Sequence, residues 1–112
     1  MTDTQFNIML EEAFSAVVPE VWEGVYVGDD LDEYITYTYY IRGALYANNS
    51  PTLRIRSVTV TLWVRNGVDC LDTREELTSA IVDLGGSYPT VTVLTAGDWN
   101  QIVFEFDYPS VA

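Results

Sequence analysis

An α+β fold of two layers, with two helices on one face of an antiparallel four-stranded sheet, follows from three observations. Two stretches, residues 3–18 and the segment starting near Asp72, repeat their apolar residues at helical spacing. Four other stretches are runs of β-branched and aromatic residues bounded by turn formers. Their order, helix, strand, strand, helix, strand, strand, is most simply satisfied when both helices cover the same side of one sheet. The 112 residues form a single domain spanning 1–112, and 48% apolar with 13% aromatic composition places the chain well outside the disordered regime. A domain of this size buries roughly two thirds of its unfolded-chain surface, so neighbouring subunits are an expected source of extra burial.

In the first helix Phe6, Met9, Leu10, Ala13, Phe14 and Val17 fall on one face, and Pro19 ends it. Thr2 with Gln5, or Asp3 alone, caps the first turn. Val21–Val27 reads as a short extended segment, followed by the acidic loop Gly28-Asp29-Asp30-Leu31-Asp32-Glu33. Tyr34–Ile41 is a strand, with Ile35, Tyr37, Tyr39 and Ile41 on one face and Tyr34, Thr36, Thr38 and Tyr40 on the other. Neither face is charged, which predicts that both are at least partly covered. Arg42–Thr52, with Gly43, Asn48-Asn49-Ser50 and Pro51, reads as a long flexible connection.

Leu53–Arg65 is the longest strand. Arg54 and Arg56 share a parity with Val58, Val60, Leu62 and Val64. Either the buried face switches near Ser57 at a bulge, or the first half of the strand leaves the core sheet as a hairpin arm. Asn66-Gly67 turns the chain. The second helix opens at Asp72 or Thr73, buries Leu77, Ala80, Ile81 and Leu84, and stops at Gly85-Gly86. Thr90–Thr95 and Asn100–Tyr108 are strands joined through Ala96-Gly97-Asp98-Trp99 as a hairpin.

Seventeen Asp and Glu oppose five Arg, with no Lys and no His, for a net charge of −12. Missing His and Lys remove Ser-His-Asp and Cys-His catalysis, imidazole metal ligands, Schiff bases and the P-loop, so a non-enzymatic role is expected. The single Cys70 makes no intrachain disulfide, which fits a reducing cytoplasm and a packing role. No basic leader opens the chain and no apolar run reaches the ~18 residues of a membrane span. Scarce cations argue against phosphate binding, whether to nucleic acid or to an anionic membrane. Protein surfaces are the expected partners.

Asp29, Asp30, Asp32 and Glu33 could converge on Ca²⁺, but the spacing is not that of an EF-hand, and a solvated loop explains them better. No carboxylate pair is marked out for glycoside chemistry. Tyr34, Tyr37, Tyr39, Tyr40 and nearby Tyr46 could stack on bases or sugars, but the basic groove that accompanies such platforms is missing, which favours core packing and a protein interface. Trp63 and Trp99 are expected in the core or at a subunit contact. Arg54 and Arg56 are either exposed strand arginines or partners for carboxylates of a neighbouring subunit. Gly85-Gly86-Ser87 follows a helix and precedes a strand, the reverse of a phosphate loop, so a helix C-cap accounts for it.

The helix ending in Pro19, the strand opening Glu33-Tyr34-Ile35-Thr36-Tyr37, the long loop, the strand Arg54-Ile55-Arg56-Ser57-Val58-Thr59-Val60-Thr61-Leu62-Trp63, the second helix and the closing hairpin together resemble the tail-completion proteins of long-tailed bacteriophages. The layout is similar to tail terminator and head-tail joining proteins from about Gln5 to Tyr108. That resemblance implies an α+β subunit forming a homo-oligomeric ring, commonly a hexamer. The ring caps the tail tube protein, docks on head-connector or neck proteins, and lets DNA pass without specific binding. It implies no catalytic residue, cofactor or metal, and a location in the virion neck after assembly in the host cytoplasm. By region, the candidate subunit or neck contacts are the acidic loop (Asp29, Asp30, Asp32, Glu33) and the arm (Tyr46, Arg54, Arg56). Two other classes compete. One is an acidic DNA mimic that inhibits a nucleic-acid-binding enzyme, which the spread of acids over loops and helix ends disfavours; the other is a small enzyme working with carboxylates alone.

Overall fold

In the computed structural model the backbone is described for residues 1–26, 31–47 and 50–111, and side chains for these residues apart from 44–47, 50–52 and 111. The first helix, α1, spans Asp3–Ser15 and opens with a reciprocal capping box. The Gln5 N–H donates to Thr2 Oγ1 (3.1 Å) while the Thr2 N–H donates to Gln5 Oε1 (2.8 Å). The helix stops before Pro19 at Ser15, earlier than its apolar periodicity extends, yet Val18 beyond it remains buried.

Five strands follow the order β1-β2-β3-β5-β4, with β1 at Val21–Glu23, β2 at Glu33–Ala47, β3 at Ser50–Arg65, β4 at Thr90–Ala96 and β5 at Trp99–Val111. The second helix, α2, spans Leu71–Asp83 between β3 and β4. The sheet is therefore mixed and five-stranded, not the antiparallel four-stranded sheet that the sequence predicts. The difference is β1, which pairs in parallel with β2 through Val21↔Ile35, Trp22↔Thr36 and Glu23↔Tyr37. After Pro19 the chain runs alongside β2, and the Ile35 N–H donates to Glu20 O while the Gly24 N–H donates to Tyr37 O, both at 2.8 Å. The expected extended segment Val21–Val27 thus joins the sheet at Val21–Glu23; three residues with two exposed side chains carry too little alternation to show that it pairs, and the partner is chosen by where α1 delivers the chain.

A second difference concerns 42–52, which is not a long loop. The antiparallel β2–β3 pairing continues to Tyr46↔Pro51 and Ala47↔Ser50, with register shifts between Gly43 and Leu45 and between Leu45 and Tyr46. Gly43 thus sits beside an irregularity inside a strand, a usual place for strand glycine, and Pro51 lies next to the hairpin end. Turn chemistry is confined to fewer residues than the composition suggests.

One face of the sheet carries the core. Ile35, Tyr37 and Tyr39 of β2 stand beside Leu62, Val60 and Val58 of β3, which stand beside Ile102, Phe104 and Phe106 of β5. Phe6, Leu10 and Phe14 from α1 and Leu77 and Ile81 from α2 close over this face. The parity of β3 does not switch at Ser57: Arg56 is on the core face and only 3% exposed. Helix α2 starts slightly ahead of the expected caps. Cys70 occupies the N-cap without a side-chain bond, and Asp69 Oδ1 accepts from the Leu71 N–H at 3.1 Å. At its other end Gly85 takes φ 103° and the Gly86 N–H returns to Ile81 O (3.0 Å).

Candidate functional site

The charge is divided along the chain. Residues 34–68 hold four of the five arginines and no carboxylate, whereas all 17 carboxylates lie outside that segment. In the fold this segment is the β2–β3 hairpin, the longest feature of a molecule measuring 53 × 25 × 24 Å. Its outer part is an arm. Past Arg56 none of the described side chains of the hairpin is buried, and Ile41, Arg42 and Arg54 are exposed.

Among the described residues three arginines of the hairpin are engaged within the fold, while Arg54 on the arm and Arg74 on α2 make no ion pair. Arg56 lies inside its own subunit. Nη2 donates to Met1 O and Asp3 Oδ1 at 3.2 Å each, Nη1 donates to Ser110 Oγ at 3.3 Å, and the guanidinium covers the Phe6 ring at 4.9 Å. It ties the start of α1 to β3 and the end of β5. Arg42 pairs with Asp107 (3.4 Å) across the surface, while Arg65 pairs with Asp32 (3.2 Å) and lies over Trp99 at 4.6 Å. Arg54 makes no ion pair among the described residues and faces solvent.

Of the acidic loop, Asp29 and Asp30 lie outside the described residues, as does the side chain of Tyr46. Asp32 is exposed and engaged with Arg65. Glu33 is half-buried, and desolvation, followed by repulsion from Glu76, raises its carboxyl above the usual range. Glu33 is level with Val64 and Arg54 with Gly43 on the same strand ladder. The acidic loop and the arm are therefore about 33 Å apart along the strands, at about 3.3 Å per residue, and do not form one site. Among the described residues no group of three Asp, Glu or Cys is placed to hold a metal ion.

Two features escaped the sequence reading. On the helix-free face Tyr26, Tyr34 and Trp63 stack in series, with centroids 4.4 and 5.7 Å apart, and Trp22 and Trp99 pack edge-on against Tyr26 and Tyr34. These rings satisfy one another, so they form a second small cluster and not an open stacking platform. The other feature is β4. Every residue of this edge strand is exposed, none is charged, and Val91 and Val93 share a face with Phe104 and Ile102. A groove of about 630 Å³ separates β4 from α2, lined in part by Leu71, Val82, Tyr88 and Val91 together with the charged Arg74, Glu75 and Asp83. That β4 is an edge comes from the strand order, but its seven uncharged residues, lacking the charges that usually blunt an edge, could be read in the sequence.

Together these features define a small α+β protein whose notable surfaces are a cationic arm, an uncharged sheet edge and a groove of mixed apolar and charged lining. No protein-family model matches the chain, and no curated protein matches it.

Proposed function

We propose that this chain is a structural subunit that assembles with copies of itself into a ring, completing the tail of a long-tailed bacteriophage and docking it to the head connector. The observation that carries the reading is the arm: a hairpin with four of the five arginines and no carboxylate, whose outer part projects with Arg42 and Arg54 from a body that holds the carboxylates. Such a division suits attachment of one subunit to the acidic body of the next. A ring lined by carboxylates also offers DNA no phosphate-binding wall, which suits passage without arrest.

Light scattering after size exclusion, followed by negative-stain imaging with and without purified tail tubes, tests this. Rings of fixed size, free or seated on tube ends, are the expected result. A stable monomer that ignores tail tubes and binds a cationic nuclease with steep salt dependence would replace this reading with that of an inhibitor. A reconstruction of the ring with a basic lumen would remove the account of DNA passage.

A further inference from the structure

The sheet ends in two open edges of different kinds. On one side β1 covers β2 only at Ile35, Thr36 and Tyr37, so among the described residues no strand pairs with the outer edge of β2 from Thr38 to Ala47. On the other side β4 is the last strand and carries no partner beyond β5. Each edge presents backbone N–H and C=O groups that would gain partners from another strand. Neither uses the usual protections. The described side chains of the β2 edge include a single charge, Arg42, and β4 contains neither charge nor proline.

We infer that a second copy of this chain docks β4 against the free outer edge of β2, continuing the sheet head to tail from subunit to subunit. This rests on the ring reading above and specifies its contact. Strand direction fits: β2–β3, β3–β5 and β5–β4 are all antiparallel, so β4 of a copy in the same orientation meets β2 antiparallel. Charge fits as well. The helix side of the arm exposes Ile41 and Arg54, and the helix side of β4 is the groove with apolar Val82 and Tyr88 and with two acids, Glu75 and Asp83, against one cation, Arg74. The same docking brings Arg54 toward those carboxylates and Ile41 toward the apolar lining.

Register limits the arrangement. Within one subunit Thr90 is level with Glu105, Thr59 and Thr38, so β4 lies beside the lower part of the sheet and not beside the arm. Docking therefore displaces each copy along the strands by an even number of residues, about six or eight, which keeps the helices on one side and amounts to roughly 20–26 Å. A closed ring built this way has its strands inclined to the ring axis, as in closed barrels. Unlike edges also exclude a simple two-fold pair by this contact, because the surfaces that meet are different.

Cross-linking tests the contact. In a Cys70→Ser background, Tyr40→Cys on β2 and Leu94→Cys on β4 each place a thiol on the helix-free face at exposed positions (66% and 50%). Mixing the two single variants with a short bismaleimide should couple them to each other. Neither variant alone should couple to itself, and the double variant should give a ladder ending at one closed species. Self-coupling of Leu94→Cys, or rings visible by light scattering with no coupling between the two sites, would overturn the inference while leaving the ring intact. A chain that stays monomeric at every concentration, with and without tail tubes, would overturn both. Val93→Lys supplies a second readout, since its side chain is already 52% exposed and the monomer should keep its circular dichroism spectrum while losing the oligomer. Unchanged oligomerisation in that variant also counts against the contact.

Discussion

Arg54 and Arg56 have the same parity on one strand and opposite fates. Arg56 lies beneath the N-terminus of α1, where Asp3, Met1 O, Ser110 and the Phe6 ring surround it, whereas Arg54 is one step past the reach of that helix. Sequence spacing shows that the two share a face but not where a helix end lands on it, so their different roles were not legible. The buried guanidinium is imperfectly satisfied: its Nε has no hydrogen-bond partner. Its carboxylate partner, Asp3, is 61% exposed in its side chain, so removing the cation strands no buried charge. Arg56→Met, which keeps most of the volume and discards the unpaired N–H, should therefore change stability by less than about 1.5 kcal/mol in urea denaturation. Arg56→Ala leaves the Phe6 contact empty and should cost about 2–4 kcal/mol. A second residue-scale test concerns Tyr37, whose hydroxyl donates to Glu11 Oε1 at 2.9 Å from an almost wholly buried ring. Burial, then this hydrogen bond, pushes the phenol well above its ordinary range, so it remains a donor at all working pH values. Tyr37→Phe should lose about 1 kcal/mol, read as a lowered urea midpoint with an unchanged slope.

At the scale of elements, α2 and β5 approach so closely that only glycine fits between them. A Cβ on Gly86 would lie 2.7 Å from Phe106 Cδ2 and 3.0 Å from Ile81 O. The backbone carbonyl cannot yield, so Gly86→Ala should destabilise by about 1–3 kcal/mol, seen as a lowered thermal midpoint. Where β2 begins, Glu33 is held above its ordinary pKa by desolvation and by Glu76. The folded state therefore binds this proton more tightly than the unfolded chain. Ionising Glu33 costs stability as pH rises through the carboxylate range, and that cost is fully present at neutral pH. Glu33→Gln should raise the thermal midpoint at pH 7, and its advantage over the parent should shrink as pH falls below the folded-state pKa, where Glu33 is neutral. A constant difference at every pH would assign the effect to packing. Long periodic elements were legible, because burial of Phe6, Leu10 and Phe14, or of Leu77 and Ile81, imposes the spacing by which they were read. Short or irregular ones were not. β1 is too brief to show alternation, and Gly43 and Pro51 resemble loop residues until the register shifts around Leu45 place them in paired strands.

Across the whole molecule, net charge and local charge oppose each other, and magnitude decides which governs assembly. Two subunits of −12 each, at about 30 Å between centres, repel by about 20 kcal/mol in salt-free water, since unit charges interact by roughly 332/(εr) kcal/mol. A Debye length of about 8 Å at physiological ionic strength reduces this to below about 1 kcal/mol. Contacts between the arm arginines and carboxylates of the next subunit are short-range and worth about 1 kcal/mol or less each while solvent-exposed, so screening takes little from them. Edge pairing and the apolar contacts made in the groove lose nothing to salt. Self-association should therefore strengthen as NaCl rises from about 10 to 150 mM, where the long-range repulsion collapses, and then level off. Sedimentation velocity across that series checks this. A steady weakening with salt over the same range would mean that attraction between the cationic arm and the acidic body outweighs the net repulsion even at low ionic strength. Arg54→Glu separates the two terms, because it raises the net charge only slightly while reversing the one arm cation that has no partner among the described residues of its own chain. Restored association of this variant at 150 mM salt would assign the barrier to net charge, and persistent loss would assign the attraction to the arm.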